Sequence, residues 1–159
     1  MTPPTDSDPA AVVRAFLADL ERLDVDAACA HLHPDVVYEN VSLPPARGIA
    51  ATRRLLDLLA HRATGFRAQN HRVAADGPVV LTERTDTIEI GRLHTSFWVC
   101  GTFEVHDGAI TLWRDYFDWA AVTGALLAGA GRALVSLLPG RRDGMWERGT
   151  PRVRGAQRG

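Results

Sequence analysis

The sequence predicts an α+β domain, helices first and then a curved antiparallel or mixed β-sheet wrapped around them, with a deep apolar pocket between the two layers. Three observations carry this. Up to residue 63, apolar side chains recur at helical spacing in three segments. Beyond Gly65 the pattern changes to long runs rich in Val, Ile, Thr, Phe and Trp. Two of those runs meet at Asp107-Gly108, a strong hairpin signal. Helices followed by strands in meander order are the α+β pattern.

Each element has its own warrant. Residues 9–22, PAAVVRAFLADLER, place Val12, Val13, Phe16, Leu17 and Leu20 at helical spacing, with Asp8 as N-cap and Pro9 at the first helical position. A second short helix, DVDAACAHL, starts at Asp24. DVVYENVSL reads as a strand closed by Pro44 and Pro45, and IAATRRLLDLLAHRA as a third amphipathic helix. Four strands follow: FRAQNHRVAAD, VVLTERTDTIEIG, RLHTSFWVCGTFEVHDG and AITLWRDYFDW. A last helix is expected from about Trp119 to Leu138, stopped by Pro139-Gly140. Residues 1–140 thus read as a single domain. Residues 141–159 hold six arginines against Asp143 and Glu147 and are expected to form a basic, disordered tail.

Composition excludes several classes of function. The 159 residues suffice for one core, and a net charge of -1 gives no footprint for nucleic acid. All eighteen basic residues are arginine, which we read as coding bias. Cys29 and Cys100 lie in no motif, and the polar, acidic N-terminus is unlike a signal peptide, so free thiols and a cytoplasmic location are expected. Residues 119–138 are apolar but broken by Thr123, Arg132 and Ser136, so no membrane span is expected. His31-x-His33 lies at a helix end and the other four histidines are scattered, a pattern without metal-ligand spacing. No metal and no cofactor are expected.

The informative residues are charges that alternation turns inward. On one strand Val80, Thr82, Arg84, Asp86 and Ile88 share a face, and the flanking Val80 and Ile88 make it the better inner face. In ITLWRDYFDW, Trp113, Asp115 and Phe117 share a face, which leaves Asp118 on the other. Ile110 and Leu112 fall out of phase with them. Tyr38 and Asn40 share a face on the first strand. Two carboxylates bridged by one guanidinium can hold different protonation states, since burial raises a carboxyl pKa and the arginine lowers it. One can then donate a proton while the other takes one from water, with Tyr38 and Asn40 orienting that water. Such a set could open a strained ring in one step. An Arg and an Asp two residues apart also make an ordinary partly solvated ion pair, and spacing alone does not choose.

The segments YENVSLPPARG, LTERTDTI and ITLWRDYFD, in this order over roughly residues 9–119, resemble the limonene-1,2-epoxide hydrolase family. That family lies within the ketosteroid isomerase-like, NTF2-like and SnoaL-like α+β cones. The resemblance implies Asp115 as general base toward water, Asp86 as general acid toward an epoxide oxygen, and Arg84 as the bridge, with Tyr38 and Asn40 holding the water. It also implies a lipophilic terpene-like, cyclic or sterol-like epoxide and a homodimer formed through the sheet. Trp113 and Phe117 are expected to form the apolar wall beside Asp115; Leu17, Leu20, Leu59, Ile88, Phe97 and Val99 stand where similar proteins present apolar side chains to substrate, although core packing explains each of these six equally well. The helix at 119–138 exceeds what the smallest members carry and could pack on the domain, lid the pocket or join a dimer contact. A ketosteroid isomerase-like or polyketide cyclase-like enzyme and a non-catalytic binding module are the competing readings. Neither needs both aspartates, the arginine and the Tyr-x-Asn pair.

Overall fold

The computed structural model describes residues 8–41, 43–117 and 124. Asp118, the expected helix at 119–138 and the basic tail lie outside the described residues, apart from Gly124.

Helix α1, Pro9–Glu21, starts where the sequence puts it. Asp8 caps it by accepting from the Ala10 N–H at 3.0 Å, and Pro9 occupies the first turn. Its apolar face buries Val13, Phe16, Leu17 and Leu20. Helix α2, Val25–Ala30, is shorter than expected, because Leu32 is already the first residue of strand β1, Leu32–Asn40. The reason is tertiary: Leu32 is buried and pairs with Ile110, so the chain becomes extended as soon as it reaches the sheet. His31 is the helix cap, and its Nε2 lies 2.8 Å from Asp19 Oδ2, tying α2 to α1. His33 stands in β1. Strand β1 also ends earlier than expected, at Asn40, where Leu43 N–H turns back onto the Asn40 carbonyl at 2.8 Å. A two-residue strand β2, Ala46–Arg47, precedes helix α3, Ile49–Arg62.

The remaining strands are β3 (Gly65–Asp76), β4 (Val79–Ile90), β5 (Leu93–His106) and β6 (Ala109–Tyr116). They pair as an antiparallel meander, and β1 joins β6 in parallel, giving one mixed sheet in the order β2-β1-β6-β5-β4-β3. The β5–β6 turn holds Asp107 at φ 51° and Gly108 at φ 76°, the conformation for which an Asp-Gly pair is suited. One face of the sheet packs on α1, where Phe16 meets Trp113 and Phe103 edge-on. Among the described residues no helix is long and apolar enough to cross a membrane.

Irregularities in the ladders decide which side chains reach the interior. Between Glu104 and Val105 of β5, strand β6 advances from Leu112 to Ile110, so Thr111 is an extra residue. Ile110 and Trp113 therefore both point inward although strict alternation opposes them. Across β1 and β6 the register slips between Leu32 and Val37, around Pro34, which has no N–H to pair. His71 is likewise extra in β3, beside the Asn70–Arg84 pair.

Candidate active site

Three strands aim the site residues at one cavity of about 550 Å³. Its walls are apolar: Leu17 and Leu20 come from α1, Leu59 from α3, and Ile88, Phe97 and Val99 from β4 and β5. Trp113 and Phe117 complete them, with the Phe117 ring 5.4 Å from that of Phe97. Sequence reasoning did not place Leu55, Leu58 and Arg62 on this cavity. They are exposed on α3, but Leu55 and Arg62 stand four residues before and three after Leu59, so helical spacing already puts them on its face.

The polar groups sit together on the sheet. Arg84 is 1% exposed and Asp86 and Asp115 are 5% and 4% exposed. The Arg84 guanidinium donates from Nε to Asp86 Oδ1 at 2.9 Å and from Nη2 to Asp115 Oδ2 at 2.8 Å. Its Nη1 donates to Thr82 Oγ1 at 3.1 Å, so each nitrogen has its own acceptor. Asn40 stands directly beside Asp115 in the parallel ladder, as Tyr38 does beside Trp113. The Tyr38 hydroxyl donates to Asn40 Oδ1 at 3.1 Å, and the Tyr38 ring stacks on Trp113 with centroids 3.8 Å apart.

Room for the guanidinium comes from Gly101, a residue that sequence reasoning passed over. It pairs with Thr82 on one side and Asp115 on the other. A Cβ there would run into Arg84 Nη1 and lie 2.6 Å from Thr82 Oγ1 and 3.0 Å from Asp115 Oδ1. A glycine inside a strand marks such close approach, and that signal was available. Gly101→Ala is accordingly expected to displace the guanidinium, destabilising the fold by about 1–3 kcal/mol. Thermal melts and turnover of the variant check this, and native values for both would show that the site has slack.

Burial sets the protonation of the group. It pushes Asp86 up to about 6 against the pull of Arg84, with the carboxylates of Asp115 and Glu21 adding to the rise. Burial also lifts Asp115 above the ordinary carboxylate range, and Arg84 pulls it back. For Arg84 burial acts the other way, but the two carboxylates outweigh it and hold the guanidinium cationic. Burial raises the Tyr38 phenol as well, so it stays neutral. One proton shared between the two aspartates leaves the group with no net charge.

A carboxyl raised on folding favours the fold at low pH, and that contribution fades as pH rises from the unfolded value of about 4 through about 6. Asp86→Asn removes this loss, so its Tm is expected to exceed that of the wild type at pH 8, with a smaller gain at pH 5. Melts at the two pH values test the sign. Among the described residues no group of three or more His, Cys, Asp or Glu is arranged to hold a metal ion, and Cys29 and Cys100 are unpaired thiols.

Fold and site together define an α+β protein with a curved mixed sheet and an apolar pocket that ends in a paired-carboxylate group. Residues 7–127 match the model of the limonene-1,2-epoxide hydrolase catalytic domain, and the chain belongs to that family. With the family comes the enzyme class, an epoxide hydrolase. The chain is 51% identical over 117 residues to epoxide hydrolase EphG of Mycobacterium tuberculosis (strain ATCC 25618 / H37Rv), a span of 74% of this chain and 78% of that protein. It is similar to the solved structure of an M. tuberculosis LEH-like epoxide hydrolase, at 48% identity and a TM-score of 0.73, over 80% of this chain and 96% of that one. A putative SnoaL-like polyketide cyclase from Shewanella denitrificans OS-217 superposes with a TM-score of 0.70 at 12% identity, over 77% of this chain and 98% of that one. At that identity the likeness is one of fold alone.

Proposed function

We propose that the protein adds water to a lipophilic epoxide in one step, giving a vicinal diol without a cofactor. The observation that carries this reading is the Arg84 guanidinium held between two buried carboxylates, 2.9 Å from Asp86 and 2.8 Å from Asp115, on an apolar cavity.

Hydrogen-bond capacity supports one division of roles. Tyr38 spends its proton on Asn40, so its oxygen is left to accept and the Asn40 amide N–H to donate. Among the described residues Asp115 Oδ1 is buried without a close hydrogen-bond partner. A water beside these groups gives one proton to Asp115 and the other to Tyr38, and accepts from Asn40. One lone pair then remains for an epoxide carbon. Asp115 is the general base. Asp86, holding the shared proton, is the general acid toward the ring oxygen, and Arg84 keeps the two in opposite states. As the water oxygen bonds to carbon, the C–O bond of the ring breaks and its oxygen takes the Asp86 proton. Asp115 is left protonated and Asp86 ionised. Transfer of that proton back resets the site.

The cavity walls suit a terpene-like, cyclic or sterol-like epoxide. The homodimer belongs to the same proposal: the outer sheet face exposes Leu81, Trp98 and Tyr116, apolar surface that a second copy would cover.

The acid must be protonated and the base ionised, so kcat/KM for a neutral epoxide is expected to be bell-shaped, falling above about pH 6 as Asp86 loses its proton. A profile flat from pH 5 to 9 would contradict the acid role. The reaction itself is tested by following diol from limonene oxide, cyclohexene oxide and a bulky sterol epoxide in the presence of a chelator. Single turnover in ¹⁸O-water should label the diol at once. Label that first enters an aspartate would replace direct hydration with a covalent route. No diol from any of the three would favour the cyclase or binding-module reading.

A further inference from the structure

We infer that Trp113 is a positioning residue for the base, its indole N–H directed at Asp115 Oδ1, in addition to forming part of the apolar wall. This rests on the hydrolase reading above.

Among the described residues two buried polar atoms of the site lack a close hydrogen-bond partner, and they are of opposite kind: the donor Nε1 of Trp113 and the acceptor Oδ1 of Asp115. A buried donor without a partner costs about 1–3 kcal/mol, so a native fold that keeps one calls for an explanation. Both residues are at least nine-tenths buried, lie two apart on β6 and line the same cavity. The indole cannot turn elsewhere: Tyr38 stacks on it at 3.8 Å and Phe16 meets it edge-on at 5.0 Å. The attacking water already has Tyr38, Asn40 and Asp115 for its own hydrogen bonds, so it leaves the indole N–H to the carboxylate.

The charges around Asp115 show why a donor there matters. Strand β4 presents Arg84 and Asp86, β1 presents the neutral Tyr38, β5 presents Gly101, and α1 presents the apolar Phe16, Leu17 and Leu20, with Glu21 acting on Asp86. Arg84 occupies Oδ2 and is shared with Asp86. Among the described residues Arg84 is the cation that acts on Asp115, yet the Oδ1 side must stay ionised to take a proton. The indole N–H is the group that counters burial there, and it acts with Arg84 to hold Asp115 down. Catalytic hydrogen bonds are often long before substrate binds and tighten in the reacting complex.

The test exchanges Trp113 for β-(3-benzothienyl)alanine, which keeps the ring shape and replaces N–H by sulfur, alongside Trp113→Phe. The acid limb of kcat/KM is expected to move up by about one pH unit, with about a tenfold loss of kcat at pH 6. The native limb and rate in the folded isostere would overturn the inference while leaving the hydrolase reading in place. Absence of diol from the wild type would overturn the reading itself. Should neither variant fold, the Trp113 indole N–H resonance of the wild type decides. It should titrate together with the acid limb, and an indole resonance indifferent to pH would refute the contact.

Discussion

Asp115→Asn is expected to lower diol formation by about 10³- to 10⁴-fold while leaving the fold intact. The substitution is close in shape, and its amide can still accept from the Arg84 Nη2 that now bonds Asp115 at 2.8 Å. What it lacks is a place for the water's proton. Because Asn40 stands beside residue 115 in the parallel ladder, the water would remain bound and badly activated, so the loss should fall on kcat far more than on KM. Circular dichroism, melting and steady-state kinetics on one preparation make the comparison. Turnover within tenfold of the wild type would move the base elsewhere, and an unfolded variant would make Asp115 a structural residue first.

Arg84→Gln should do damage of a different kind. Removing the cation leaves two buried carboxyls facing each other, and breaking a buried ion pair by deleting one partner costs about 3–5 kcal/mol. The wild-type arginine satisfies three acceptors with three nitrogens, and glutamine supplies one amide. Both aspartates should then hold protons at neutral pH, so Tm should fall steeply at pH 8 and recover toward pH 5. Activity should be lost across that range, since no ionised base remains. Arg84→Lys keeps the charge but not the fork of donors, so it should restore Tm better than turnover. A fully active Arg84→Gln enzyme would refute the bridging role.

Much of this geometry is legible in the chain, and for local reasons. Strand alternation puts Arg84 in phase with Asp86, and the flanking Val80 and Ile88 say which side is inner; the structure buries Val80, Thr82, Arg84 and Asp86 and leaves Ile88 half-buried on the cavity. Asp115 follows from Trp113 by the same rule. What alternation does not supply is the neighbour. Asn40 meets Asp115 through a parallel pairing between segments far apart in the chain, and no local signal announces which strands pair. Thr82 was visible only as a member of the inward set; its bond to Arg84 depends on where the guanidinium comes to rest. Gly101 illustrates the limit. A glycine in a strand signals close approach but not by which group, and only when three strands are laid side by side does its missing Cβ become the space Arg84 occupies. The early end of α2 has a similar origin, since Leu32 leaves its helical pattern to meet Ile110.

The extra residue at Thr111 divides β6 into two reading frames. On the hairpin side the frame belongs to the core through Ile110, and on the far side it belongs to the pocket through Trp113 and Asp115. A change of residue at this junction alters one side chain. Loss of the bulge at unchanged length alters every address beyond it: strict alternation from Ile110 would send Trp113 and Asp115 to the outer surface and bring Leu112 and Arg114 inside, whereas removing Thr111 would leave both facing inward. The two halves of the strand can therefore vary in sequence separately as long as the offset between their frames, held by the bulge at Thr111, is kept.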